Sequence, residues 1–167
     1  MPYYIGDVIK EQERLIARTP ERFRQDGIGV RTDTRVEEVD PRQHLVRLAG
    51  GETLPYEVLV FATGTRALLP EIPGVEREGV FTLKKLTDAL RIKAWLREVP
   101  CRKAIIVGAG FIGMEMSEAI GNLGIETQVF HRGKLPAHRW DPEFSQAVLA
   151  ELERHKVGFV ADVEVRA

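Results

Sequence analysis

Apolar positions follow two rhythms along this chain. Between residues 28 and 62 they form short runs rich in Val, Leu and Ile, and from residue 83 onward they recur at three- and four-residue spacing between continuously apolar stretches. Ahead of both, Val8, Ile9, Leu15 and Ile16 lie among charges, which predicts an amphipathic helix from Val8 to about Arg18. Thr19-Pro20 restarts the chain as N-cap and first helical residue, and Gly27 closes that short turn. Strands are then expected over Ile28 to Thr32, Arg35 to Val39, His44 to Leu48 and Glu57 to Ala62, punctuated by Asp40-Pro41 and Gly50-Gly51. Three of them read as a meander returning into a buried strand, "VLVFATG".

Residues 65–78 carry Pro70, Pro73 and Gly74, a loop that reads as a crossover between two structural parts. Leu83, Leu86, Leu90 and Ala94 then mark a helix to about Glu98, which Pro100 stops. From Lys103 the order becomes strand (Lys103 to Val107), helix (Phe111 to Leu123), strand (Glu126 to His131), helix (Pro142 to Lys156) and strand (Val157 to Val160). This is an α/β pattern, a Rossmann-like doubly wound βαβαβ unit. The chain divides accordingly into residues 1–75, a connecting segment and helix over 76–102, and the βαβαβ part over 103–167.

A length of 167 residues allows one ordinary domain or two incomplete ones, at roughly 100 to 200 residues per domain. With 44% hydrophobic residues the chain is globular rather than disordered. Twenty-four basic against 25 acidic residues give a net charge of -1, which lacks the basic footprint of a nucleic-acid binder. The longest uncharged stretch, Ala104 to Met114, is far short of the roughly 20 residues of a membrane span. The single cysteine, Cys101, and four scattered histidines make no zinc spacing, so neither metal nor an internal disulfide is expected. A soluble protein of the reducing cytoplasm follows as the expectation.

The stretch "IIVGAGFIGMEM" holds Gly108-x-Gly110-x-x-Gly113 directly after the apolar strand Ala104-Ile105-Ile106-Val107, whose composition suits a parallel strand covered on both faces. Gly108 permits the sharp strand-to-helix turn, Gly110 lets a pyrophosphate approach backbone, and Gly113 lets the helix pack closely on the sheet. The helix would bury Ile112, Met116, Ala119, Ile120 and Leu123, and its first N–H groups would face the phosphates. A bare structural turn is the competing reading of the same glycines.

A NAD-preferring site places Asp or Glu about 20 residues on, against the ribose 2′-OH. This chain instead reads Val129-Phe130-His131-Arg132, followed by Lys134, His138 and Arg139 before any acid. Arg132 suits a multidentate grip on a 2′-phosphate, so NADPH is favoured over NADH. A solvated basic loop accounts for the same charges.

Read together, "MPYYIGDVI", "TPERF", "VLVFATGTRALLPEIPG", "VFTLKKLTDAL", "GAGFIGMEMSEAI" and "HRGK" resemble, in order and over essentially the whole chain, the FAD-dependent pyridine nucleotide-disulfide oxidoreductases. Within them the chain looks most like the coenzyme A disulfide reductase and NADH oxidase branch. In that family a NAD(P)-binding fold is inserted into an FAD-binding fold. The resemblance therefore implies that residues 1–75 are a partial FAD-binding segment, in which Val36, Thr63 and Gly64 approach the flavin nucleotide. It also implies that Phe111 is the gate where nicotinamide stacks and that Glu115 is the acid beside it. Without the resemblance, Thr63-Gly64 would be a strand end, Phe111 a packing residue and Glu115 a helix-surface charge.

Departures from the family matter equally. The first FAD-binding G-x-G-x-x-G, the later Gly-Asp motif and the C-terminal dimerisation domain have no counterpart here, and the family's Cys-x-x-Pro-Tyr-Tyr is matched only by Met1-Pro2-Tyr3-Tyr4. Its redox cysteine would fall two residues before Met1. Cys101 reads as a bystander thiol beside Arg102 and Lys103. The implied activity is hydride transfer from NAD(P)H to FAD and onward to a thiol, disulfide, persulfide or oxygen acceptor, in a homodimer, with no nucleic acid or membrane partner. The isolated 167 residues are expected to bind the nucleotide without turning over. A non-catalytic NAD(P)-binding module is the alternative, and an ordinary dehydrogenase with an N-terminal extension is a third.

Overall fold

A computed structural model describes residues 1–137 and 140–166 of the chain. In chain order its elements are α1 (Pro2–Ile5), a 3₁₀ turn (Gln12–Leu15), α2 (Pro20–Gln25), β1 (Val36–Asp40), β2 (Leu45–Leu48), β3 (Thr53–Pro55), α3 (Leu86–Glu98), β4 (Lys103–Val107), α4 (Phe111–Gly121), β5 (Glu126–Phe130), α5 (Pro142–Arg154) and β6 (Gly158–Val160). They fall into two compact units, one of residues 1–15 with 66–167 and one of residues 16–65. This division is by contact. The one expected at about residues 75 and 102 is by cofactor.

The larger unit holds the predicted βαβαβ. Its strands pair in parallel in the order β4-β5-β6, with Ile106 beside Val129 and Val129 beside Phe159. Paired residues of a parallel sheet share a face, and α4 and α5 cover the face of Ile106, Val129 and Phe159 through Met114, Val148 and Leu152. The other face is open: Ile105 is 61% and Val107 65% exposed. The expectation of a strand covered on both faces therefore fails, because both helices that follow these strands lie on one side.

A second cluster joins Tyr4 and Ile5 of α1, Ala89 and Ile92 of α3, and Met116, Ile120 and Ile125. Burying such an aliphatic side chain contributes about 1.5–3 kcal/mol. The short α1 is held there by Gly6, whose added Cβ would stand 2.9 Å from the Ala119 backbone, and by Lys93. The Lys93 ammonium is buried, donates to the Tyr4 carbonyl at 2.5 Å, pairs with the Asp7 carboxylate at 2.9 Å and lies 3.8 Å from the Tyr4 ring centre. The Asp7 carboxyl is lowered by that hydrogen bond from Lys93. α3 starts where the Asp88 carboxylate accepts the Lys84 and Lys85 N–H groups at 2.8 and 2.7 Å, which also lowers its pKa.

The helix expected from Val8 to Arg18 does not form. Asp7 turns left-handed at φ 61°, the Val8 and Ile9 N–H groups both donate to the Tyr3 carbonyl, and only Gln12–Leu15 coils, as a 3₁₀ turn. The apolar pairs are used separately: Ile9 and Leu15 pack on the α1 cluster while Val8 is 65% exposed.

The smaller unit is an antiparallel meander, β1-β2-β3, with a bulge between Val36 and Glu38. The Asp40 carboxylate accepts the Arg42 and Gln43 N–H groups at 2.8 and 3.0 Å and closes the first hairpin. Val46 and Leu48 are buried on one face. Two expected strands, Ile28 to Thr32 and Glu57 to Ala62, are not formed, and the third strand is Thr53–Pro55 instead. A strand needs a neighbour to take its backbone hydrogen bonds, and none of the described strands runs beside "VLVF". Val58, Val60 and Phe61 are 82%, 77% and 72% exposed accordingly.

Candidate nucleotide-binding site

The carboxyl ends of parallel strands are where open α/β sheets bind ligands, and here that end is built by the turn from β4 into α4. Gly108 takes φ +105° and donates its N–H to the Phe130 carbonyl at 2.8 Å, so β5 fixes where the turn begins. Ala109 is fully buried; its carbonyl accepts the Ala137 N–H at 2.8 Å and its N–H points to His131 Nδ1 at 3.3 Å. Gly110 is the N-cap of α4, with no capping side chain, no acid in the first turn, and open space where a Cβ would stand. Gly113 lies so close to the turn that an added Cβ would overlap the Gly108 carbonyl oxygen.

These features fit a dinucleotide phosphate. The first N–H groups of an eleven-residue helix carry partial positive charge, face no acidic neighbour and are reachable past a residue without a side chain. Phe111 follows at once and is 60% exposed. Ile112 is 48% exposed rather than buried as expected, because α4 presents Met116, Ser117, Ala119 and Ile120 inward. Glu115 is exposed on the same helix.

The end of β5 separates the residues of the basic loop. His131 is 7% exposed, its N–H donates to the Val160 carbonyl, and its ring tilts against Phe159 with centres 6.2 Å apart. It braces the glycine turn from below. Arg132 and Lys134 are not buried with it: both are exposed. Arg139 and its neighbour His138 lie outside the described residues.

Trp140, at the far end of this loop, carried no sequence signal beyond an aromatic directly before the helix start Asp141-Pro142. Its ring meets Phe111 edge-on, with centres 5.2 Å apart and planes at 62°, and it meets Phe144 at 6.4 Å and 79°. Val36, Thr63 and Gly64 belong to the smaller unit: Val36 opens β1 and is 48% exposed, and Thr63 and Gly64 are exposed, with Gly64 at φ +69°.

A cavity of about 470 Å³ lined by Asp7, Lys93, Arg97, Cys101, Leu123 and Ile125 lies instead at the amino ends of β4 and β5. Cys101, whose Sγ donates to the Lys103 carbonyl at 3.3 Å, is thus at the opposite end of β4 from the glycine turn. Concavity does not mark the candidate site. Among the described residues no group of His, Cys, Asp and Glu could hold a metal ion, and no helix is long and apolar enough to cross a membrane.

The model of the pyridine nucleotide-disulphide oxidoreductase family matches residues 8–167. The chain is 31% identical over 163 residues to an NADH oxidase of Methanocaldococcus jannaschii, covering 94% of this chain and 36% of that protein. It is 32% identical over 155 residues to an NAD(P)H coenzyme A polysulfide/persulfide reductase of Pyrococcus horikoshii, covering 91% and 35%. Among solved structures, the reduced CoADR-RHD of Bacillus anthracis superposes with a TM-score of 0.90 at 32% identity, over 99% of this chain and 31% of that one. The chain spans about a third of the length of the curated relatives it matches. With strand, glycine turn and helix in place and this match over nearly its whole length, the chain belongs to the pyridine nucleotide-disulphide oxidoreductase family.

Proposed function

We propose that this chain provides the nicotinamide-nucleotide site of a flavin-dependent NAD(P)H:disulfide oxidoreductase of the coenzyme A disulfide kind, with NADPH preferred. The observation that carries the reading is the turn at Gly108–Gly113: an uncapped helix N-terminus behind a glycine with open space, at the carboxyl end of a parallel strand. The relatives' names support the class of reaction, an NADH oxidase and a coenzyme A polysulfide/persulfide reductase.

In this reading the backbone N–H groups after Gly110 hold the pyrophosphate and Gly113 keeps the helix against the turn. His131 braces Ala109 from below, and Arg132 and Lys134, with Arg139, grip the 2′-phosphate of the adenosine half. Phe111 and Glu115 stand on the nicotinamide side. Val36, Thr63 and Gly64 are assigned to the flavin nucleotide, and residues 1–75 and 103–167 to the two cofactor parts. When bound, the nucleotide and flavin supply the hydride chemistry, and the protein supplies position and electrostatics. A small thiol, disulfide, persulfide or oxygen acceptor, a cytoplasmic setting and a homodimer complete the proposal.

Calorimetric titration of the chain with NADPH and with NADH tests it. Arg132→Glu should weaken NADPH binding about tenfold or more while changing NADH binding little, the loss of one charge-assisted bidentate pair. Equal losses would remove the 2′-phosphate assignment, and no binding of either nucleotide to the unaltered chain would remove the site.

A further inference from the structure

Three exposed aromatic rings form a connected row at the mouth of the glycine turn. Phe111 is 60%, Trp140 43% and Phe144 60% exposed, and each consecutive pair meets edge-on. The row ties together elements that a bound dinucleotide would touch separately. Phe111 is the first residue of α4, Trp140 closes the loop that starts at Arg132, and Phe144 is in the first turn of α5. None of the three rings belongs to the buried core, and edge-to-face contacts of this kind favour one mutual orientation of the rings.

We propose that Trp140 is a positioning residue that latches the Phe111 ring edge-on and so sets how easily the non-adenosine half of the dinucleotide seats. The inference rests on the nucleotide reading of the glycine turn. With the adenosine half at Arg132 and the pyrophosphate at Gly110, the other half must leave the turn past α4's first residue, where the Phe111 ring stands. Seating it there moves that ring and breaks the contact with Trp140. The contact exists before binding and is lost on binding, so it subtracts from affinity for the whole dinucleotide and not for its adenosine half.

The test compares NADPH with ADP-ribose 2′-phosphate, which shares the adenosine and pyrophosphate but has no nicotinamide; NADH with ADP-ribose serves as a parallel pair. Trp140→Ala should tighten NADPH binding by about 2- to 12-fold, the worth of one edge-to-face aromatic pair, and leave ADP-ribose 2′-phosphate unchanged. Trp140→Phe, which keeps an edge to offer, should restore the unaltered ratio. In a Phe111→Ala background the same Trp140→Ala change should have no further effect, since the latched ring is gone. Unaltered circular dichroism would show that each variant is folded. An equal shift for both ligands, a weakening of NADPH, or a gain that persists without Phe111 would overturn the latch while leaving the nucleotide site standing. If neither ligand binds the unaltered chain, the nucleotide reading falls and the latch with it.

Discussion

At Gly110 an added Cβ would meet nothing within 4 Å, whereas at Gly113 it would overlap the Gly108 carbonyl oxygen. Two glycines of one motif therefore answer to different constraints. Gly110 has φ -84°, which any residue adopts, so the fold itself does not require its lack of a side chain, and the proposed approach of a nucleotide does. Gly113 serves the packing of helix on strand. Gly110→Val should melt within about 1 kcal/mol of the unaltered chain, as surface substitutions generally do, and bind neither NADPH nor NADH. Gly113→Ala should lose stability by about 1–3 kcal/mol or more, because the carbonyl it strikes is backbone fixed by the Phe130 pairing of the turn. Thermal melts beside nucleotide titrations separate the two. A Gly110→Val chain that still bound NADPH would leave only the turn reading of the motif.

At the scale of elements, α1 depends on a charge. A four-residue helix has too few internal hydrogen bonds to persist alone, and its carbonyl at Tyr4 is held by the buried ammonium of Lys93 on α3. Lys93→Met preserves length and removes the charge. It should cost about 1.5–3 kcal/mol at neutral pH, the range for hydrogen bonds to a charged group. The pH dependence follows from Asp7, whose carboxyl is lowered in the folded chain by the Lys93 hydrogen bond. A lowered folded value contributes stability that is present above the ordinary carboxylate value of about 3.9 and is lost as the pH falls through the folded value. Urea titrations between about pH 3 and 6, which bracket that value, should show this loss in the unaltered chain and a flatter profile in Lys93→Met. Parallel profiles would mean that the pair contributes no pH-dependent stability, in keeping with the half-exposed Asp7 side chain.

At the scale of the whole molecule, the chain passes between its two units through a segment without regular structure. Residues 57–66 are almost all exposed, and the second of the two boundaries between the units falls at Thr65–Arg66, the first being at Leu15–Ile16. Limited trypsin digestion should cut at Arg66 ahead of the sites within α3 and α5, because a protease needs extended, accessible backbone. First cleavage inside those helices would contradict the division. The pattern of apolar residues was sufficient for β2, β4, β5, α3, α4 and α5, each a local signal, with Pro100 ending α3, the glycine turn opening α4 and Pro142 opening α5. The glycine fingerprint and the basic loop were equally legible, since both are contiguous in sequence. Three things were not. The apolar run "VLVF" has the composition of a buried strand, yet composition cannot supply the neighbour that a strand requires. Val8, Ile9, Leu15 and Ile16 have helical spacing, but a turn at Asp7 splits each pair, so that Ile9 and Leu15 pack on the α1 cluster and Val8 and Ile16 face outward. The contact between Phe111 and Trp140 joins the first residue of α4 to the residue before α5, which only the folding of the βαβ unit brings together. By itself the sequence determined the family, the βαβαβ order and the geometry of the glycine turn, because these reside in short-range spacing and in the backbone freedom of glycine. Tertiary structure alone decided which sheet face is covered, which basic residue is buried as a strut and which ring stands against the candidate gate, because each depends on contacts between segments distant in the chain.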